Sequence, residues 1–240
     1  MQYLDFDKLD ALDAEAFSRT RPYPFMNPAG LLTDDGYARL VSTAPDVSVM
    51  IPSFGRKRSH GQRSHDRYIL EYQPDLDVIS EAWKEFIAEL HGTRYARFIR
   101  RMYGGRNFKL NMHWHYAPRG CVVSPHCDAV HKRGSHIFYL NTREDWDPQW
   151  GGATLMLDDN GRFKPDSAPA FEDFDRIVAG ECIGNYSTLF ERRSRSWHGV
   201  RELTCPEGKL RKVFIVVINQ PLLYAGRRAL NWFKNKKHAA

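Results

Sequence analysis

The chain has 240 residues, enough for one sizeable domain, and its 42% hydrophobic and 13% aromatic content marks it as globular rather than disordered. No apolar run approaches the ~20 residues of a membrane span, and the opening MQYLDFDKLDALDAEAF lacks a secretory signal's basic and apolar regions, so a cytoplasmic location is expected. The net charge of +6 permits an anionic partner without requiring one.

Residues 1–20 read as a short acidic helix or an arm. Pro22, Pro24 and Pro28 then keep the chain extended. Thr33 is placed to cap a short helix with Asp34 and Asp35 in its first turn. Residues 53–68, SFGRKRSHGQRSHDRY, form a basic loop carrying Arg56, Lys57, Arg58, Arg63 and Arg67. It reads either as a solvated surface loop or as a lid that meets a negatively charged substrate. The spacing of Val78, Ile79, Ala82, Trp83, Phe86, Ile87 and Leu90 predicts a helix from Pro74 to about Leu90, ended by Gly92. A second helix, Thr93 to Met102, buries Tyr95, Phe98, Ile99 and Met102 and turns Arg94, Arg97, Arg100 and Arg101 outward.

From Asn107 the pattern changes to short strands: Phe108–Tyr116, Ser135–Asn141, Ala153–Leu157, Ser187–Glu191, Trp197–Val200 and Arg211–Asn219. Many short strands with turns between them point to a β-sandwich or barrel. Val213–Ile218 is apolar on both faces and is expected at the centre of a sheet. The turn-rich, acidic stretch 158–185 reads as a surface excursion. Four cysteines, Cys121, Cys127, Cys182 and Cys205, show no C-x-x-C spacing and read as free thiols. The tail, 222–240, can place Leu223, Leu230 and Phe233 on one helical face among basic residues. It is expected to pack on the core as a basic helix, with a peripheral membrane contact as the rival reading. The chain is therefore expected to be a single domain. Residues 1–105 would form a helical buttress and lid loop, 106–221 a β core, and 222–240 the C-terminal helix.

The candidate site lies in YAPRGCVVSPHCDAVHKRGSHIFYLN, residues 116–141. In an extended segment residues two apart share a face, so His126 and Asp128 present an imidazole and a carboxylate side by side. His198 in SWHGV would complete a 2-His-1-carboxylate set, which suits non-haem Fe(II) and leaves coordination positions open; zinc is the alternative metal. Arg211, thirteen residues after His198, opens the strand RKVFIVVIN, where its guanidinium can grip a carboxylate. Lys209 and Lys212 are its rivals. Strand parity separates Arg211, which shares a face with Val213 and Ile215, from Lys212. His113 and His115 form a second H-x-H pair, read as pocket lining or core. His136 is a candidate supporting group near the site. Trp146, Trp150, Gly151 and Gly152 read as a turn leading into a strand.

Four features together resemble the Fe(II)/2-oxoglutarate-dependent dioxygenases, and among them the prolyl-hydroxylase-like group. They are Y-x-x-x-G (Tyr116, Gly120), H-x-D (His126, Asp128), FYLN followed by DWDPQWGG, and His198 with a later basic residue. The resemblance spans roughly residues 106–220. It implies a mainly β fold with flanking α-helices, a double-stranded β-helix (jelly-roll, cupin-like) buttressed by N-terminal helices. It also implies an enzyme that uses Fe(II), 2-oxoglutarate and O2, releases succinate and CO2, and hydroxylates an unactivated C–H bond. His126, Asp128 and His198 would hold the metal; Arg211, Tyr116 and Tyr139 would hold the cosubstrate. The carboxylate at Asp128 argues against halogenation, since related halogenases carry a small residue there. Desaturation or demethylation by the same machinery, and a non-catalytic jelly-roll module for sugar or nucleic acid, are the competing readings. The substrate expected is a small molecule, sugar or peptide. The cationic loop and tail favour an anionic one, with nucleic acid disfavoured.

Overall fold

The computed structural model describes residues 1–58 and 61–226. Its strands form two antiparallel sheets. The larger has the order β1 (Phe25–Met26), β9 (Ser187–Glu191), β6 (Lys132–Tyr139), β11 (Arg211–Asn219), β4 (Lys109–Ala117), β3 (Arg67–Glu71) and β2 (Ile51–Ser53). The smaller has the order β5 (Val123–His126), β10 (Trp197–Val200), β7 (Leu155–Asp158) and β8 (Arg176–Ala179). This is a double-stranded β-helix, with helices packed on the outer face of the larger sheet.

Strand β11 explains the layering. Its even-numbered residues Phe214, Val216 and Ile218 join a core with Met112 and Trp114 of β4. Its odd-numbered residues Val213, Ile215 and Val217 face a cavity between the sheets. The outer core is closed by α4 (Glu81–His91) and α5 (Thr93–Met102). Trp83 of α4 packs edge-on against Trp114 at 5.0 Å and tilted against Phe214 at 4.9 Å, and its indole N–H donates to Leu40 O at 3.2 Å. Truncating so central an aromatic to alanine costs about 3–5 kcal/mol. The N-terminal segment is tied to the same helix. The backbone N–H groups of Tyr3 and Leu4 donate to the Glu89 carboxylate, and Tyr3 Oη donates to Glu85.

Several expectations hold and some shift. Thr33 caps α3 (Asp34–Ser42), its Oγ1 accepting from Gly36 N. The acidic N-terminus is two short helices, α1 (Phe6–Ala11) and α2 (Ala14–Arg19), capped by Asp5 and Asp13. The helix expected from Pro74 starts only at Glu81. Leu76 N turns back onto Gln73 O, and Ser80 O takes the first helical bonds, from Trp83 and Lys84. Residues 1–105 are more than a helical buttress, because β1, β2 and β3 extend the larger sheet. The stretch 158–185 is not wholly an excursion, because β8 pairs with β7. All four cysteines are free. Among the described residues no helix is long and apolar enough to cross a membrane. Residues 221–226 are helical; the rest of the basic tail expected at 222–240 lies outside the described residues.

Candidate active site

Strands β5 and β10 pair antiparallel with His126 opposite His198. Asp128 follows two residues beyond His126, just past the end of β5. One ligand atom from each of the three lies within 4.8 Å of the others. The pairing requires a glycine beside His198: a Cβ on Gly199 would stand 2.6 Å from Val123 O. Each imidazole is fixed by its own strand. His126 Nδ1 donates to Ser124 O at 3.0 Å and His198 Nδ1 to Ser196 O at 2.9 Å. That assigns the proton to Nδ1 and leaves both Nε2 lone pairs free to bind a metal.

The electrostatics agree. Burial holds His126 and His198 below the usual imidazole range, so both are neutral ligands. Burial alone would raise the Asp128 pKa; the Lys132 ammonium, by its charge and its hydrogen bond, leads the effects that outweigh it and hold the carboxyl below its usual range. Lys132 Nζ lies 2.6 Å from Asp128 Oδ1, and Arg192 Nε donates to Asp128 O at 3.1 Å. Two neutral imidazoles and one carboxylate, open on one side to a cavity of about 1300 Å³, fit a divalent metal with vacant positions.

Arg211 stands on the cavity wall with Val213 and Ile215. It is 8% exposed, its Cζ lies 5.8 Å over the Tyr139 ring, and its Nε donates to Gly152 O at 2.6 Å. Gly152, at φ +104°, leaves room for the Arg211 side chain. Lys212 points the other way and pairs with Asp145, as parity requires. Tyr139 lies inside the barrel beside Arg211, but its hydroxyl is engaged by Thr154 and Thr188, each at 3.0 Å.

Tyr116 is not brought to the site. It lies on the helix-facing side of β4 with Trp114, and its buried hydroxyl has no hydrogen-bond partner among the described residues. Alternation forces this: His113 and His115 line the cavity, so Tyr116 must turn away from it. His136 also faces outward, bonded to Tyr95 Oη and Ser187 Oγ at 3.0 Å each, and is a core residue.

Three further residues line the cavity: His65, which the sequence alone does not single out, and Arg67 and Arg58, which it marks only as part of a basic loop or lid. His65 packs its ring 4.6 Å from His126 and bonds Ser124 Oγ at 3.1 Å. Arg67 and Arg58 stand beside it on the lining. The signal for Arg67 is the alternation in RYILE, which puts Arg67, Ile69 and Glu71 on one face of β3.

No family model and no curated protein matches the chain. Solved structures do. A prolyl-4-hydroxylase from Pseudomonas putida superposes with a TM-score of 0.60 at 16% identity, covering 86% of this chain and 98% of its own. A prolyl hydroxylase from Trichoplax adhaerens, in complex with a hypoxia inducible factor peptide fragment, gives 0.62 at 16% identity, covering 90% and 91%. A non-haem alpha ketoglutarate dependent epimerase from nogalamycin biosynthesis gives 0.60 at 14% identity, covering 90% and 82%. The chain thus has the fold of the 2-oxoglutarate/Fe(II) oxygenases, in its prolyl-hydroxylase-like form.

Proposed function

We propose that the chain is an Fe(II)/2-oxoglutarate-dependent dioxygenase that hydroxylates a C–H bond of its substrate. The observation that carries this is the convergence of His126, Asp128 and His198 at one end of a cavity with the buried, charged Arg211 on its wall. The three ligands would hold Fe(II), which supplies O2 activation coupled to oxidative decarboxylation of 2-oxoglutarate. Arg211 would hold the far carboxylate of the cosubstrate, with the Tyr139 ring packed beneath the guanidinium. Its fork still has Nη donors for that bond while Nε is anchored on Gly152. The apolar wall of Val213 and Ile215 would shield the reacting centre from water.

Anaerobic addition of Fe(II) and 2-oxoglutarate should produce a visible charge-transfer band that is absent in Asp128→Ala. No band in the wild-type protein at saturating concentrations of both would defeat the proposal. The same fold carries an epimerase and a carbocyclase, so product mass decides the outcome. A gain of one oxygen supports hydroxylation, and loss of two hydrogens or an unchanged mass replaces it with desaturation or epimerisation.

A further inference from the structure

The cavity lining carries two further guanidinium groups that the cosubstrate reading leaves unused, and one of them, Arg67, lies two strands from Arg211 in the same sheet. Arg67, on β3, donates from Nε to His115 Nε2 at 3.3 Å and from Nη1 to His65 O. Arg58 donates from Nε to Gln62 Oε1 at 3.3 Å. Neither forms an ion pair with a carboxylate among the described residues. The other cavity cations near the metal are already engaged: Lys132 and Arg192 hold Asp128, and Arg211 is anchored on Gly152. Burial outweighs Asp128, which favours the charge on Arg58, and Asp66, which favours that on Arg67, and no carboxylate pairs with either arginine among the described residues. Asp128 belongs to the metal, Glu71 accepts from Asn111 Nδ2, and Asp166 is exposed.

Two like charges brought together at a partly buried wall are costly unless an anion joins them. Burial depresses the pKa of both, and each guanidinium also bears on its neighbours: Arg58 on Arg67 and His198, and both on His65. The flanking His65 and His115 serve as hydrogen-bonding walls for Arg67. His115 fixes the Arg67 fork by accepting from its Nε, which leaves Nη2 without a partner among the described residues; Arg58 has both Nη groups so placed. Planar forks with free outer donors match the oxygens of a carboxylate or phosphate.

We propose that Arg58 and Arg67 form a substrate subsite for an oxyanion, a carboxylate or phosphate group on the molecule to be oxidised, separate from the cosubstrate carboxylate at Arg211. This rests on the oxygenase reading above. The subsite holds the anionic end of the substrate so that a carbon further along it stands at the metal. The cavity would therefore select small acids over their neutral esters and amides.

The test uses two anion probes, acetate and methylphosphonate, titrated calorimetrically into the anaerobic Fe(II)–2-oxoglutarate protein and into the metal-free protein. At least one probe should bind saturably to wild type, and binding should weaken at least tenfold in Arg58→Met and in Arg58→Met/Arg67→Met. The probe that binds identifies the carboxylate or the phosphate form. The 2-oxoglutarate dissociation constant, read from the charge-transfer band, should stay within twofold in both variants. Arg58 lies on a surface loop, so the single variant reports even where the double variant is destabilised. Absence of saturable binding by either probe, or equal binding in the variants, overturns the subsite. A matching rise in the 2-oxoglutarate constant also overturns it, because the arginines would then hold the cosubstrate. A missing charge-transfer band defeats the oxygenase reading instead, and the metal-free titration still decides whether the anion site exists.

Discussion

Lys132 Nζ sits 2.6 Å from Asp128 Oδ1, while Oδ2 of the same carboxylate lies 4.0 Å from His198 Nε2. The ammonium holds one oxygen aside and leaves the other to face the two imidazoles. In the proposed metal site Lys132 would therefore be a positioning residue that keeps Asp128 a one-oxygen ligand. Groups in this role typically contribute about 10–100-fold to metal affinity. Lys132→Met should weaken Fe(II) binding by about tenfold, measured by competition with a chelating dye, while the far-ultraviolet circular dichroism is unchanged. Tighter binding in the variant would mean that the ammonium competes with the metal instead of orienting its ligand.

Arg211 is buried, and among the described residues no carboxylate pairs with it; its Nε donates to Gly152 O and its guanidinium lies over the Tyr139 ring. Arg211→Met should raise the 2-oxoglutarate dissociation constant by about 30-fold or more, the effect of a loss of about 2 kcal/mol when one partner of a buried charge pair is truncated. Fe(II) affinity should not change. Arg211→Lys should restore only part of the loss, because an ammonium cannot keep the Nε bond to Gly152 O while offering a fork to a carboxylate. An unchanged 2-oxoglutarate constant in Arg211→Met would move the cosubstrate anchor elsewhere on the wall.

Much of this was legible from residue spacing because a β-strand has a strict period of two. The H-x-D pair and the choice of Arg211 over Lys212 follow from that period, while the partnership of His198 with the pair rests on the family resemblance. The same rule contradicts the assignment of Tyr116: a strand that turns His113 and His115 to the cavity cannot also turn Tyr116 there. The family-like spacing of Tyr116 to His126 outweighed the alternation, and the structure reverses that choice. The place of Arg58, His65 and Arg67 beside the triad was harder to see. Arg67 reaches the cavity because β3 pairs with β4 in a register that sets Tyr68 opposite Tyr116. A pairing between segments so far apart in the chain leaves no local signal in the basic loop that holds Arg58 and His65.

The two tyrosines should separate cleanly. Tyr116 Oη is buried without a partner among the described residues, so Tyr116→Phe should leave the 2-oxoglutarate constant unchanged. The same change should keep or raise stability, since an unpaired buried hydroxyl costs about 1–3 kcal/mol. Tyr139→Phe removes the bonds to Thr154 and Thr188 and should lower stability by about 1–3 kcal/mol. Urea unfolding midpoints with an unchanged slope check both. A tenfold rise in the 2-oxoglutarate constant for Tyr116→Phe would return that residue to the site.

His136 gives a pH dependence independent of the metal ligands. It is 0% exposed, and burial pushes its pKa from 6.5 down to about 3. The unfolded chain therefore takes up a proton that the folded chain refuses anywhere between those two values. Stability is fully present above pH 6.5 and falls as the pH drops toward 3, at about 1.4 kcal/mol per pH unit for this group. Its two nitrogens are bonded to Tyr95 and Ser187, so His136→Gln keeps polar partners for them but removes the titration. The slope of unfolding free energy between pH 6 and pH 4.5, from urea denaturation of the metal-free protein, should be shallower in the variant by about 1.4 kcal/mol per pH unit. Equal slopes in the two proteins would show that His136 is protonated within the fold, with Tyr95 Oη or Ser187 Oγ accepting from the imidazolium.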